Sequence, residues 1–585
     1  MSRRRYAASF FAVAVAFVLG VLSVAAAPEG GLSSIKGGDL KEWLTYIASD
    51  ELQGRAVYTT GIGLAAAYIE DHLHAWGAKP PADGGSYLQD VRVLGVKQAA
   101  SRSTITVQVG GQTQTFADGG GITFPKNAGG KRQFTIDHVE FAGYGLNAPA
   151  AQQEDYRGRE VNGAAVVWLG ANGPKGFDPS INRRQLAGRN RYATEQLHAA
   201  ASVGPEMGRG AGGAGGAGGA GGAGGEGGAG AAGTGGAGRG GPLPAPDFTT
   251  VQRLDQPIPP NIAASDAFFE LLFSEAPTKY DELKRRAAAQ EPLPVFRLDG
   301  VKLTFNVDAD YQVVRTQLAH NVVAIVEGSD AQLKNTYVAF GAHYDHVGYA
   351  EGEVVTGDSG VRRLGAPGRV TPGTESDRIW NGADDDGSGT VALLALARAF
   401  AQGPRPKRSL LFVWHAGEER GLLGSRYFAD YPTVPLDRIV AQLNIDMIGR
   451  NRDDKQSESN TVYVVGSDRI STELDAINRA ANDSLPKPMR LDYEFNDPSD
   501  LESLYTRSDH YSYASKGIPI IFFTTGLHPD YHANTDEVSK IEFEKMTRIV
   551  QLVYETGVRV ANLAHAPVRD NKGPRAGRAT TTANR

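Results

Sequence analysis

The sequence predicts an α/β fold, a mostly parallel mixed sheet sandwiched by helices, interrupted by a β-rich insertion. Three observations predict it. After residue 320, apolar runs of four to seven residues alternate with longer amphipathic runs. Strands apolar on both faces need cover on both sides, which is the pattern of a parallel sheet between helix layers. From about 90 to 145 the apolar period shortens to two, with glycine turns between runs, the mark of half-buried strands. Ahead of both, residues 30–80 carry apolar positions three and four apart, which reads as helix.

Composition sets the bounds. At 585 residues the chain is too long for one core. Hydrophobic residues at 41% and charged residues at 22% are ordinary for a soluble globular protein. The net charge of -6 gives no reason to expect nucleic acid or an anionic membrane as partner. There are no cysteines, which excludes disulfides, thiolate metal sites and a cysteine nucleophile. Any metal must therefore be held by nitrogen and oxygen.

In chain order, Arg3 to Arg5, an apolar run from Ala7 to Val24 and three alanines to Ala27 have the order of a signal peptide over residues 1–27. A single membrane anchor is the competing reading. Ser2 to Tyr6 also resembles a twin-arginine signal, used to export folded proteins. The spacing predicts helices over 40–52 and 62–76, the second stopped by Gly77 and Pro80. Strands follow at 104–109, 134–141 and 166–169, with a helix at 191–201.

Residues 208–241 are nearly all glycine and alanine, a composition that cannot bury enough surface to offset chain entropy and is expected to be disordered. Structure is expected again at 248–253 and 263–273, with a helix at 279–290 and strands at 301–307 and 312–317. The alternating region then predicts strands at 321–326, 336–340, 409–414, 439–445, 462–465 and 518–523. Its helices are expected at 389–401, 425–431, 471–482 and 542–564. Residues 566–585 read as a loose tail.

The chemistry centres on Trp380 to Thr390, where Asp384, Asp385 and Asp386 sit between glycines and open a helix. Three adjacent carboxylates repel one another. A helix N-terminus offers about half a positive charge, a divalent cation two. A solvated acidic turn is the plain alternative. Around it lie His343, Asp345 and His346, then Glu418 and Glu419, Asp446 and His532. Most of these lie at or just past strand ends, where sites form in parallel sheets.

Two histidines, several carboxylates and no sulfur suit zinc, and one carboxylate can bridge two ions. Asp345, two residues after His343, is placed to hold the other ring nitrogen. Glu418 and Glu419 can divide the work, one on metal and one on the proton of a water. His346 is expected just outside the metal ligands, and His510 either there or purely structural. Competing motifs fail. There is no His-Glu-x-x-His, and in His415 to Glu419 a glutamate stands where the inverted zinc motif needs histidine. Gly357-Asp-Ser-Gly360 echoes a serine-protease loop, but no matching histidine motif accompanies it.

The motifs at 343–346, 382–389, 417–425, 444–449 and 531–532, in that order, resemble the co-catalytic di-zinc aminopeptidases, a family that includes glutamate carboxypeptidase II and the transferrin receptor. The resemblance covers about 30–85 and 318–565. It implies a zinc-peptidase domain from 30–88 and 318–565, with two Zn(2+) ions bridged by Asp385. His343 and Asp446 would complete one site and Glu419 and His532 the other, with Glu418 as general base and Asp345 supporting His343.

Phe141 to Gly145, Asp155 to Gly158 and Val161 to Trp168 resemble a protease-associated domain, inserted here over 89–317. The activity implied is an exported, periplasmic or extracellular aminopeptidase acting on peptide or protein N-termini, with no nucleic acid and no membrane after signal removal. A carboxypeptidase, a glutaminyl cyclase and a catalytically silent, receptor-like binding module are the alternatives within the resemblance. The oligomeric state is not read from the sequence.

Overall fold

The computed structural model describes residues 30–570, apart from 82–84, 150–151, 177–178, 207–244, 353, 357–362, 365 and 498–499. The expected signal peptide, the glycine-rich run, the Gly357–Gly360 motif and most of the tail lie outside the described residues.

Two sheets organise the chain. The elements of the first are α1 (Gly37–Ile47), α2 (Thr60–Trp76), β1 (Leu88–Ser101), β2 (Phe248–Thr250), β3 (Ala309–Val326), β4 (Tyr337–His343) and α3 (Gly389–Gln402). They continue with β5 (Ser409–His415), α4 (Leu423–Asp430), β6 (Ile439–Ile445), β7 (Thr461–Val465), α5 (Thr472–Asp483), β8 (Arg490–Asp492), α6 (His510–Ala514), β9 (Ile520–Thr524) and α7 (Phe543–Asn562). The sheet order is β2-β1-β3-β5-β4-β6-β9-β7-β8. The four central strands β5, β4, β6 and β9 run parallel, as their continuous apolar runs predict. On one flank β2, β1 and β3 join antiparallel; on the other, β7 pairs antiparallel with β9.

Side chains of each central strand divide between two cores. Val338, Phe340 and Ala342 of β4, with Leu410, Phe412 and Trp414 of β5, face the core built with α1, α2, α3 and α7. Ala339, Leu411 and Val413 face the opposite core, which α4 and α6 close with Phe428, Tyr511 and Tyr513. No helix among the described residues is long and apolar enough to cross a membrane.

The ten-stranded second sheet, built from residues between 104 and 307, has its own core, including Ile105, Phe116, Phe141, Val167, Phe268 and Leu303. Strands β1 and β3 pair from Leu88↔Val322 to Ser101↔Ala309, with register shifts after Gly95 and Gln98. They carry the first sheet past the expected boundaries at 88/89 and 317/318, and the runs expected at 312–317 and 321–326 are one strand. Bulges of this kind bend and twist a ribbon, and here they lie where it leaves one sheet for the other.

The helix expected at 191–201 is displaced. Helix Pro179–Arg191 and a π-helical extension Tyr192–Gln196 precede a strand at Ala201–Pro205. Its first part is mostly polar, with Ile181 and Leu186 its only large apolar residues, too few to show an apolar period.

Candidate metal centre and cleft

Strand β4 delivers His343, and the loop after it Asp345 and His346. Helix α3 begins beside them, preceded by the three aspartates. Asp386 is an anchor: its Oδ1 accepts from the N–H groups of Gly389 (2.8 Å) and Met447 (3.2 Å), and its Oδ2 from that of His343 (3.2 Å). Asp384 Oδ1 accepts from Gly449 N–H at 2.6 Å, and its Oδ2 lies 3.3 Å from His528 Nε2. Asp536 accepts the N–H groups of Asp384 at 3.0 Å and Asp385 at 3.1 Å. With both neighbours tied down, Asp385 alone faces the cleft.

Two glycines make this packing possible. A Cβ at Gly382, where φ is +57°, would meet the Asp385 carbonyl at 2.3 Å. One at Gly389 would meet Asp386 Oδ1 at 2.3 Å.

Asp385 lies between two donor sets. On one side His343 Nε2 is 3.3 Å from Asp385 Oδ1 and 3.7 Å from Asp446 Oδ2. On the other, His532 Nε2 is 3.1 Å from Asp385 Oδ2 and 3.1 Å from Glu419 Oε2. Ligand atoms of His343, Asp385 and Asp446 lie within 4.8 Å of one another, as do those of His346, Asp385 and Glu419. Asp385 Oδ2 and Glu419 Oε1 are buried, and each meets a histidine ring nitrogen, His532 Nε2 at 3.1 Å and His346 Nδ1 at 2.9 Å. Buried carboxylates and histidine nitrogens converging with no sulfur among them suit zinc. The residues fit two ions sharing Asp385.

The Nδ1 of His343 lies 3.1 Å from the backbone carbonyl of Asp345 and 3.7 Å from its carboxylate. The carboxylate instead accepts from the N–H groups of Gly417 (2.8 Å) and Glu418 (3.1 Å). Asp345 therefore fixes the loop that carries Glu418, while its main chain orients His343. His346 Nδ1 is 2.9 Å from Glu419 Oε1, closer to the second donor set than expected. His510 is structural: its Nε2 faces the Tyr505 carbonyl at 2.9 Å and its ring stacks on Phe522, and burial brings its pKa down to about 3.

Electrostatics follow from the crowding. Burial opposes charge on His343, but Asp446, Asp345 and Asp385 push its pKa well up. Burial likewise opposes ionisation of Glu419, yet His532 brings its pKa down to about 2. Burial pushes Glu418 well above the usual carboxylate range, with Glu419 and Asp446 adding to it against His343. Two adjacent glutamates thus differ, one held as a carboxylate and one disposed to carry a proton.

Beyond the donor sets the cleft is lined by apolar Met447, Leu504, Phe522, Leu527 and Tyr531, with Arg507 on the same wall. The sequence reading missed Arg507 and Arg55. Arg55 is fully buried beneath the site, donating to the carbonyls of Tyr344 (Nε, 3.0 Å), Ile47 and Asn381 (Nη1, both 2.6 Å) and Gly382 (Nη2, 2.9 Å). Its only sequence signal is the pair Gly54-Arg55 ahead of a helix, which does not separate a buried arginine from a surface one.

Residues 321–557 match the model of peptidase family M28. Leucine aminopeptidase 1 of Trichophyton equinum is 27% identical over 244 residues, 40% of this chain and 56% of the relative. Leupeptin-inactivating enzyme 1 of Streptomyces exfoliatus is 31% identical over 152 residues, 25% of this chain and 30% of the relative. The chain thus spans about half or less of the length of these curated relatives. Among solved structures, the aminopeptidase from Aneurinibacillus sp. strain AM-1 aligns over 92% of this chain and 98% of its own, with 16% identity and a TM-score of 0.41.

Proposed function

We propose that this chain, whose segment 321–557 belongs to peptidase family M28, is an exported metallo-aminopeptidase with two zinc ions at the shared Asp385. The observation that carries the reading is the pair of donor sets, His343 with Asp446 and Glu419 with His532, meeting on one carboxylate. Zinc at these sets would polarise a scissile carbonyl and lower the pKa of water to about 7.

The protein's own part is positioning and proton transfer. Glu418, raised in pKa by burial and lining the cleft, takes a proton from the attacking water and returns it to the departing amine. Asp345 holds the Glu418 loop through two N–H groups. The apolar wall of Met447, Leu504, Phe522 and Leu527 supports an apolar first side chain. Residues 3–27 support export, and the β-rich insertion supports a protease-associated role beside the cleft.

The test is incubation of the zinc-loaded protein with free and N-blocked peptides, with mass detection. Release of the first residue from free peptides only is expected, with close to two equivalents of zinc bound. Loss of a C-terminal residue would select a carboxypeptidase instead. Ammonia release from N-terminal glutamine, with one equivalent of zinc, would select the cyclase. No turnover by fully loaded protein would select the binding module.

A further inference from the structure

We infer that the inserted domain completes the wall of the substrate cleft, with Glu502 as a positioning residue that ties Arg184 of the insertion to Arg507 of the cleft. The inference deepens the peptidase reading and rests on it for the identity of the substrate.

The wall concerned is residues 501–511, which contain a 3-10 turn at Leu504–Thr506 and the start of α6 but no strand. This segment gives Leu504, Arg507 and Ser508 to the cleft, and Ser508 Oγ donates to Asp446 Oδ2 at 2.7 Å. With no sheet ladder to hold it, its position depends on side chains, Leu504, Tyr505 and Tyr511 in the core and polar groups on its other face.

The insertion's helix and its π-helical extension supply polar contacts to this segment. Arg184 pairs with Glu502. Gln185 Nε2 donates to the Leu501 carbonyl at 3.3 Å, and Arg191 Nη2 to Thr506 Oγ1 at 3.0 Å. Tyr511 Oη donates to Glu195 Oε2 at 2.8 Å. These contacts track both segments in register, from 184 to 195 on one and from 501 to 511 on the other.

The chain of contacts then enters the site. Glu502 Oε2 is shared, also meeting Arg507 Nη1 at 3.1 Å. Arg507 Nη2 donates to Tyr531 Oη at 3.4 Å, and the Tyr531 ring stacks on His532 with centroids 4.0 Å apart. The side chains of Arg184 and Glu502 are 35% and 36% exposed, so that pair alone is weak. Arg507 is only 6% exposed. A guanidinium buried to that degree keeps its geometry only while its fork is matched. The insertion therefore acts on substrate through Glu502 and Arg507 without touching it.

The test uses the full-length, zinc-loaded protein and the variants Arg184→Ala, Arg184→Gln, Arg184→Lys and Glu502→Gln. The readouts are kcat and KM on a free peptide with an apolar first residue, zinc content, and amide hydrogen exchange over 501–511. Arg184→Ala should raise KM about two- to fivefold, the span of an exposed ion pair, with kcat and zinc content kept and exchange of 501–511 accelerated. Arg184→Lys should recover most of KM, and Glu502→Gln, which loosens a buried arginine, should raise KM about tenfold.

If Arg184→Ala does not fold, Arg184→Gln carries the same comparison. Wild-type KM and wild-type exchange in the alanine or glutamine variant would overturn the inference. So would a lowered melting temperature with KM unmoved, the signature of a purely structural contact. Should the wild type cleave no peptide while Arg184→Ala still speeds exchange over 501–511, the tie stands and the peptidase reading falls.

Discussion

Replacing Arg55 by methionine should destabilise the catalytic domain by about 3–5 kcal/mol, the cost of removing one partner from a buried charged constellation. The geometry supports a value of that size. The side chain is wholly buried, and its fork meets four carbonyls, those of Ile47, Tyr344, Asn381 and Gly382. Burial brings its pKa down to about 10, while Asp345, Asp386, Asp536 and Asp385 act the other way, so it is charged at neutral pH.

Methionine keeps most of the stem but removes the donor to the Ile47, Tyr344 and Asn381 carbonyls, leaves Gly382 with the Gly387 N–H alone, and takes a cation from beside the aspartates. The two loops that Arg55 joins carry His343 to His346 and Asp384 to Asp386, so zinc retention should weaken as well. The assay is urea unfolding with and without zinc, beside zinc dissociation measured with a competing chelator. Because zinc binds the folded state, an excess of about a hundredfold over Kd should restore about 2.7 kcal/mol. Arg55→Lys should resemble the methionine variant, since one ammonium cannot reproduce a planar fork. A methionine variant within about 1 kcal/mol of wild type, with unchanged zinc affinity, would refute the reasoning.

Glu418→Gln should keep the fold and both zinc equivalents while turnover falls about 10²–10⁴-fold. Glu419→Gln should instead lose zinc and regain part of its activity with excess zinc, and zinc content and turnover at one pH separate the two. Glu537 offers a pH test: burial, then Asp377, Asp536 and Asp50, raise its pKa from 4.5 to about 7. A carboxyl raised in the folded state favours folding below about pH 4.5, and that contribution is lost as pH rises through about 7. The shift converts to about 3 kcal/mol, which partial exposure reduces to about 1–2 kcal/mol. Glu537→Gln should therefore raise the melting temperature at pH 8, with the gain fading toward pH 4.5, and an equal gain at both pH values would count against it.

The sequence by itself determined the sheet and which candidate ligands its strand ends bring together. The runs at 409–414 and 439–445 are apolar at nearly every position, and such runs can be stable only as strands covered on both faces. His343 ends β4 and Asp446 follows β6, while Glu418 and Glu419 lie just beyond β5. The ends of neighbouring parallel strands lie together in space, so residues 103 positions apart in the chain meet at one cleft.

Tertiary structure decided the rest. Three aspartates in a row are chemically alike, and only the backbone donors from Gly389, Met447, Gly449 and His343 take up Asp384 and Asp386 and leave Asp385 to the cleft. The carboxylate of Asp345 serves the Glu418 loop because two N–H groups from a distant strand end reach it first. Helix 179–191 is mostly polar, and its arginines and glutamine reach carbonyls of the insertion itself at Tyr144 and Gly170 as well as Glu502 and the Leu501 carbonyl across the domain boundary. Apolar burial is written into the chain as a period, because it depends on which face of an element a residue occupies. Hydrogen bonds and ion pairs between distant segments leave no period, because they depend on where the partner arrives.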